Sequence, residues 1–253
     1  MTRERRIYGR RGRGVTLLVV VAALALMMVP AGLRQAAAQD SSTSVDVQTR
    51  AVFLHASPDL GEVEVSLNWD TQLEEFGYGD VSDWVDVPPG AVEVTINAER
   101  RGINYMVFDA VYPAPAGNDY FMVITDQLVV GGAFDRSPVP GNSARVQVVQ
   151  GSVSLPAVNV VATGADVDWA TQLQYPRSSE ATVVPSGSYS LEVRLADSDQ
   201  VVLTAPDVTL GGDSTNQLVI MGNANDSDHP LEIKVLSTTT NPRDGESAGT
   251  PPA

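Results

Sequence analysis

Apolar and polar residues alternate along several short stretches of this chain. The clearest runs are residues 63–67, 92–96 and 189–195, where every second position is apolar. A period of two places successive side chains on opposite faces of a β-strand, so one face of each strand is predicted to be buried and the other to face water.

Turn-forming residues separate these runs. Residues 68–70 (Asn-Trp-Asp), 88–90 (Pro-Pro-Gly) and 185–187 (Pro-Ser-Gly) each lie at one end of an alternating stretch. Proline presets φ and glycine accepts positive φ, so clusters of this kind predict turns between strands. No stretch after Pro30 has a helical stripe of ten or more residues. The pattern therefore predicts an all-β fold.

The second half of the chain repeats the first. The ten residues from Arg50, RAVFLHASPD, align with the ten from Arg145, RVQVVQGSVS, and W-D-T-Q-L at Trp69 matches W-A-T-Q-L at Trp169. The offset grows from 95 to 100, which indicates a five-residue insertion at residues 164–168. Landmarks that recur in one order with small changes of spacing indicate an internal duplication.

Each repeated unit has the size and the strand pattern of a small sandwich domain. Short strands separated by frequent turns are typical of immunoglobulin-like antiparallel β-sandwiches. The sequence predicts two such domains in tandem, at residues 45–138 and 143–236. The linker at residues 137–142 is short and contains two prolines, so the domains are expected to lie close together. Residues 238–253 are predicted to be a disordered tail because they have almost no apolar side chains.

The N-terminal segment has the features of a signal peptide. Six arginines lie within the first fourteen residues, and an uncharged, largely apolar stretch follows at residues 15–29. A stretch of this length is shorter than the roughly twenty residues that span a bilayer. Cleavage is expected after Ala38, so residues 1–38 are predicted to be removed and the protein to be secreted, with no membrane span left. If the segment stayed uncleaved, it would anchor the chain in a membrane.

Composition narrows the classes of partner. The net charge is −15 and becomes −21 without residues 1–38, which contain seven arginines and one glutamate. Nucleic acid and anionic membrane surfaces need a basic footprint, so neither is expected to bind. The chain contains no cysteine, so an exported form would be stabilised by packing without disulfides.

Two motifs in the first unit carry a family resemblance. They are H-A-S-P-D at residues 55–59 and G-D-V-S-D at residues 79–83. With them, residues 45–138 and, more weakly, residues 143–236 resemble the secreted bacterial domain of unknown function 4397. The resemblance implies an extracellular or cell-surface β-domain and no known reaction. The second unit departs from the first motif, since Gln150, Val153 and Ser154 replace His55, Pro58 and Asp59.

The first motif contains the three residue types of a nucleophilic triad, His55, Ser57 and Asp59. A triad needs its members to converge from separate parts of a fold, whereas residues two apart on an extended strand lie about 6.6 Å apart. The expected role is structural, with the imidazole and the carboxylate bonded to backbone groups where the strand turns at Pro58. With His229 the chain has two histidines and no cysteine, too few ligands for a catalytic zinc site.

One acidic loop is a candidate cation site. Asn223, Asn225, Asp226 and Asp228 place several oxygen donors within six residues. Calcium prefers six to eight oxygen ligands, so calcium is a possible cofactor, and no other is predicted. The loop lacks the spacing of an EF-hand, and a solvated acidic loop is the alternative.

The three tryptophans are candidate ligand contacts. Trp69 and Trp169 are predicted to lie at hairpin tips in the two units, and Trp84 lies beside the second family motif. An exposed indole could form a platform for a sugar ring or for a partner protein. Alternatively, these side chains could pack over the end of a sandwich or between the domains.

The resulting hypothesis is a non-enzymatic exported protein. It would act as a structural or adhesive module at the bacterial cell surface or outside the cell, with an extracellular protein or a cell-wall polysaccharide as its partner. One alternative is a carbohydrate-binding module that uses Trp69 and Trp169. A further alternative is a hydrolase that uses the region of His55.

Overall fold

The computed structural model of the protein describes residues 48–100, 102–164 and 167–240. The predicted signal peptide at residues 1–38 and the tail after Thr240 lie outside these residues. The described residues fall within one compact unit and form sixteen strands and no helix, which confirms the all-β prediction. In this part of the chain no helix is long and apolar enough to cross a membrane.

The strands divide evenly between the two repeated units. The first eight are β1 (Arg50–His55), β2 (Val63–Leu67), β3 (Asp70–Phe76), β4 (Val85–Asp86), β5 (Gly90–Arg100), β6 (Ile103–Ala114), β7 (Asp119–Ile124) and β8 (Val129–Ala133). The second eight are β9 (Ser143–Gln150), β10 (Val158–Thr163), β11 (Val167–Leu173), β12 (Thr182–Pro185), β13 (Gly187–Leu195), β14 (Val201–Leu210), β15 (Ser214–Met221) and β16 (Glu232–Thr239).

Each unit forms a sandwich of two four-stranded sheets. The first sandwich has sheets ordered β4-β1-β7-β8 and β3-β2-β5-β6, and the second has β12-β9-β15-β16 and β11-β10-β13-β14. In each unit the first of these is called the inner sheet and the second the outer sheet. Neighbouring strands are antiparallel except for one parallel pair in each inner sheet, β1 with β7 and β9 with β15. The predicted pair of sandwiches is confirmed.

The outer sheets follow the predicted alternation. Along β2, Val63, Val65 and Leu67 are buried, and Val92, Val94 and Ile96 of β5 lie beside them. These side chains pack against alternate residues of the inner sheet to form the core of the first sandwich. The second sandwich has an equivalent core, in which Leu191 and Val193 of β13 are fully buried.

The central strands of the inner sheets are buried on both faces. All residues of β7 and β15 are buried, as are residues 51–55 of β1. Alternate side chains of these strands leave their own sandwich core and form an inter-sandwich cluster. Its buried members are Val52, Leu54, Ala56, Phe121, Val123, Phe134, Val149, Val219, Met221 and Leu236. The two sandwiches therefore stack through their inner sheets.

A buried ion pair lies at the edge of this cluster. Asp119 is fully buried, and the Arg50 guanidinium donates to both of its carboxylate oxygens, at 2.9 and 3.1 Å. Arg136 approaches the same carboxylate at 3.5 Å, and the Thr238 hydroxyl of the second sandwich donates to it at 2.6 Å. A buried charge is tolerated when it is paired and hydrogen-bonded, and here the partners of Asp119 come from both sandwiches.

The same contact corrects one predicted boundary. Thr238 and Thr239 were assigned to the disordered tail, but they belong to β16, and Thr238 and Thr240 are buried. Threonine favours strands because its branched side chain packs well on a pleated surface. The last strand therefore extends beyond residue 236.

Candidate functional site

The H-A-S-P-D motif closes the end of β1. His55 is fully buried; its Nε2 lies 2.8 Å from the Gly61 carbonyl oxygen, and its Nδ1 accepts a hydrogen bond from the Ser57 backbone N–H at 3.2 Å. The acceptor at Nδ1 assigns the proton to Nε2, so the ring is neutral. Burial lowers the pKa of the His55 imidazole below its ordinary value. The imidazole holds the loop after β1 by bonding its backbone, as predicted.

The carboxylate that completes this arrangement was not the predicted one. Asp59 is exposed, whereas the Ser57 hydroxyl donates to Oδ1 of Asp126, in the turn between β7 and β8. Ser57 is fully buried and directs its hydroxyl to Asp126, while only its backbone N–H contacts His55. The three side chains thus lack the hydroxyl-to-imidazole bond of a triad. No local pattern could have identified Asp126, because 69 residues separate it from Ser57.

The second sandwich builds the same corner with other side chains. Gln150 is fully buried at the position of His55, and its Oε1 accepts from the Ser152 backbone N–H at 3.1 Å. The Ser152 hydroxyl donates to the Gly222 carbonyl oxygen at 2.6 Å, where the first sandwich uses Asp126. Both corners keep a buried acceptor and a buried serine, which supports a structural role for this motif.

The G-D-V-S-D motif supports the free edge of β1. The backbone of the motif pairs with the part of β1 that β4 does not reach. The Phe53 backbone N–H also donates to the Ser82 hydroxyl at 2.9 Å. In the second sandwich the Val148 backbone N–H donates to the Ser179 hydroxyl in the same way, at 3.0 Å. This motif therefore completes the inner sheet.

Trp69 lies at a hairpin tip, as predicted. It is 70% exposed, and Asn68 and Trp69 form the two-residue loop between the paired residues Leu67 and Asp70. Both loop residues have positive φ, 50° and 69°. This is the pattern of a type I′ turn, which favours glycine at the second position. Asn68 fixes the loop, since its backbone N–H and its side-chain Oδ1 bond the Glu93 backbone, both at 2.9 Å.

The prediction that Trp169 lies at a matching tip is wrong. Trp169 is the third residue of β11 and is only 3% exposed, because the inserted residues lengthen this hairpin. The strand registers show the shift. In the first sandwich Val65 pairs with Leu73, whereas in the second its equivalent, Val160, pairs with Ala170 and not with Leu173. The Trp169 indole packs in the core of the second sandwich and cannot serve as a surface platform.

Trp84 packs against the inter-sandwich cluster. It is half-buried, with its ring 6.0 Å from that of Phe134 in an edge-on contact. The guanidinium of Arg50 stacks over it at 4.1 Å, a cation–π contact that orients the arginine toward Asp119. Trp84 therefore helps to position the buried ion pair.

The acidic loop bonds mainly to itself. Oδ1 of Asn223 accepts from the Asn225 backbone N–H, and Oδ1 of Asp226 accepts from that of Asp228, both at 2.9 Å. Oδ2 of Asp226 lies 3.0 Å from Nδ1 of His229, and this hydrogen bond lowers the pKa of the Asp226 carboxyl. Within residues 48–100, 102–164 and 167–240, no group of three or more acidic or histidine side chains converges as a metal site would require.

A tyrosine connects this loop to the first sandwich. The ring of Tyr78 meets that of His229 edge-on, with centroids 4.7 Å apart. Burial, and secondarily the nearby carboxylate of Glu232, raise the pKa of Tyr78 to about 12. The loop at residues 223–229 thus forms part of the contact between the two sandwiches.

Comparison with known proteins gives a family match. The model of a domain of unknown function (DUF4397) matches residues 47–161 and 144–248. A comparison with curated proteins found no match.

Three solved structures show remote similarity. A candidate cell adhesion protein from Bacteroides uniformis is 10% identical over 78% of this chain and 100% of its own, with a TM-score of 0.26. A family 26 carbohydrate-binding module from Eubacterium rectale, in complex with maltoheptaose, is 9% identical over the same shares, with a TM-score of 0.22. A candidate cell adhesion protein from Parabacteroides distasonis is 10% identical over 76% and 97%, with a TM-score of 0.21. TM-scores this low give no basis for assigning their roles to this chain.

Proposed function

The chain belongs to the family of the domain of unknown function DUF4397, and on this premise we propose that it is a non-enzymatic exported protein. It acts as a structural or adhesive module at the bacterial cell surface or outside the cell. The hairpin tip formed by Asn68 and Trp69 is its contact point with a partner.

The observation that carries this proposal is the exposed Trp69. A left-handed conformation costs a residue with a side chain about 1–2 kcal/mol, and glycine would avoid that cost in a type I′ turn. At 70% exposure the indole contributes little to packing that could offset it. A large aromatic side chain held in an unfavourable conformation on a rigid tip is typical of a recognition residue.

The rest of the fold supports a structural module. The inter-sandwich cluster and the Asp119 ion pair hold the two sandwiches together. A force or a partner at one end therefore acts on two sandwiches that are fixed to each other. The signal-like segment at residues 1–38 favours export. The partner we propose is an extracellular protein, because a single indole flanked by Asp70 and Glu93 fits a basic or apolar protein surface.

The burial of the His55 corner favours a role without catalysis. His55 and Ser57 are both fully buried, and their polar atoms bond to Gly61 and Asp126. A hydrolase would need one of these groups to reach a substrate. Turnover of an ester or glycoside by the wild type that disappears in His55→Gln, with the fold retained, would contradict this part of the proposal.

The experiment compares Trp69→Gly with the wild type in capture of proteins from native cell envelope. We expect the variant to fold and to lose capture at least about tenfold, which corresponds to 1.4 kcal/mol of binding energy. Ile103→Ala is the matched control, because it also removes an exposed apolar side chain, 68% accessible, elsewhere on the first sandwich.

The outcomes separate the candidate partners. Equal capture by wild type and Trp69→Gly would overturn the proposed contact point. Binding of the wild type to a glycan array, lost in Trp69→Gly, would instead support a carbohydrate-binding module. That module would have to work with Trp69 alone, since Trp169 lies in the core.

A further inference from the structure

The first sandwich contains an apolar cavity. It has a volume of about 240 Å³ and lies between the two sheets at the end where β2 leads into the Trp69 turn. Ala51, Leu67, Val92, Ala114 and Met122 are among the residues that line it, and no charged side chain does.

At two cavity-lining positions the first sandwich has a smaller residue than the second, although Tyr112 and Tyr120 are larger than their counterparts Val208 and Asn216. Ala51 pairs with Tyr120 in the first sandwich, and Val146 pairs with Asn216 at the equivalent positions of the second. The first sandwich therefore has alanine where the second has valine. Ala114 pairs with Gly90 in the way that Leu210 pairs with Gly187, so alanine replaces leucine. Both replacements remove side-chain volume from the same end of the sandwich.

A third replacement lies on the edge strand. Gly131 pairs with Met122, whereas Val235 stands at its place in the second sandwich and packs against that core. A Cβ atom at Gly131 would lie 2.4 Å from the Met122 sulfur, so the glycine lets the methionine fold over the strand. The Met122 sulfur therefore takes the space that a larger residue would fill at this position.

In the second sandwich an indole packs in the core against the counterpart of one cavity-lining residue. Trp169 packs edge-on against Tyr189, with ring centroids 4.9 Å apart. Tyr189 is the counterpart of Val92, a cavity-lining residue, since each lies two residues after the glycine that begins its strand. The first sandwich lacks such an indole, because its Trp69 points into solvent at the hairpin tip.

We infer that the cavity binds an uncharged aromatic ring of about indole size. An apolar cavity of about 150 Å³ is known to bind benzene, so one of about 240 Å³ has room for a two-ring system. The apolar lining excludes charged ligands, which would lose their hydration without compensation. In the second sandwich an indole already packs against Tyr189, the counterpart of the cavity-lining Val92.

A ligand can enter between two edge strands. Pro113 at the end of β6 and Ala133 at the end of β8 line the cavity and are both exposed. Among the strands of residues 48–100, 102–164 and 167–240, β6 pairs only with β5 and β8 only with β7, so none of these strands closes the gap between the sheets there. The two tyrosines that line the cavity, Tyr112 and Tyr120, have phenol pKa values raised by burial, in keeping with a dry interior.

The test is titration of the intact protein with indole. We expect saturable binding of one indole per chain in isothermal titration calorimetry. At an indole concentration ten times the Kd, the melting temperature should rise by about 3–6 °C.

Three variants test whether indole binds in the cavity. Ala114→Leu introduces the residue of the second sandwich and should weaken indole binding by at least about tenfold while keeping the strand circular dichroism signal. Ala51→Val is a second route to the same result if Ala114→Leu fails to fold. Ala116→Leu is the matched control, because it adds the same atoms on an exposed loop, and it should bind indole like the wild type.

Two results would overturn the inference. One is the absence of any heat or melting shift with indole, or equal binding by the wild type and the cavity-filling variants. The other is indole binding by Trp69→Gly but not by the wild type, since the ring that the cavity takes would then be the Trp69 side chain of a second copy and not a free ligand. The inference does not depend on the adhesive function, because capture of envelope proteins and indole binding are measured separately.

Discussion

The two sandwiches share a strand order but fill their interiors differently. Both pair their first strand in parallel with the seventh and support its free edge with a serine hydroxyl, Ser82 or Ser179. At the end of the outer sheet they diverge, because Trp169 packs in one core while Trp69 faces solvent beside a cavity. The fold therefore depends on strand-end hydrogen bonds and alternating apolar residues more than on any one core side chain.

The corner after the first strand teaches the same lesson about chemistry. His55 and Gln150 occupy equivalent buried positions, and each accepts a hydrogen bond from the backbone N–H two residues later. An imidazole and an amide share this accepting ability but not acid–base behaviour. At this position the fold requires a hydrogen-bond acceptor on a side chain long enough to reach the backbone N–H two residues later.

The largest expected effect is the difference in stability between substitutions of the two tryptophans. Trp169→Ala should destabilise the protein by about 3–5 kcal/mol, because it leaves a cavity in a packed core. Trp69→Ala should change stability by no more than about 0.5 kcal/mol, because that indole is mostly exposed. Chemical denaturation of both variants checks this, and similar losses for the two would contradict the difference between them.

The next effect concerns the charge between the sandwiches. Asp119→Ala should lower the free energy of unfolding by about 3 kcal/mol. This is the low end of the cost of breaking a buried ion pair, because Arg50 is partly exposed. Asp199→Asn is the control: it removes the charge from an exposed ion pair with Arg194, keeps a residue type that tolerates the φ of 57° there, and should cost under about 1 kcal/mol. Urea midpoints give both values. An Asp119→Ala variant as stable as the control would show that the link is dispensable.

A smaller, pH-dependent effect distinguishes the two corners. The folded pKa of His55 lies below the value of 6.5 that the unfolded chain has. As the pH falls, the unfolded chain binds the proton first, so stability present above pH 6.5 is lost between 6.5 and the folded pKa.

His55→Gln should remove this dependence while costing about 1 kcal/mol near neutral pH. Gln150→His should add a second group that loses stability on acidification, if its ring is buried in the same way. Denaturation midpoints at about pH 7.5 and about pH 5.5 measure both changes. A wild-type protein equally stable at both values would count against a buried neutral His55.

The smallest effect has the opposite sign. Trp69→Gly should stabilise the protein by about 0.5–1 kcal/mol, because glycine accepts the positive φ of the turn without steric strain. The increase in melting temperature measures it. Asn68→Gly should not stabilise, because it also removes the side-chain bond to the Glu93 backbone.

The outer sheets could be predicted from the sequence, and the inner sheets only in part. Alternation along residues 63–67 and 92–96 identifies strands with one wet face, and the structure confirms them. Continuous apolar runs such as residues 121–124 and 218–221 are typical of strands buried on both faces. Such runs indicate a second covering layer without identifying which surface provides it.

The side-chain contacts escaped prediction for physical reasons. Trp169 moved from the tip to the core because the length of a hairpin loop sets the register, and a change of a few residues alters which side chains face inward. Asp126 and Asp119 meet partners 69 and 119 residues away in sequence, Ser57 and Thr238, so no local spacing could reveal them. The cavity could not be predicted because it depends on how side chains of both sheets pack together, which no single residue reveals.

The stacking of the inner sheets governs what happens if the chain is cut. Five of the six residues at 137–142 are exposed, so a protease could nick the polypeptide there. The two pieces would stay associated, because each would otherwise expose an apolar sheet face to water, and Thr238 would still bond Asp119 across the cut. The nicked protein would elute as one species in native buffer and separate only in denaturant.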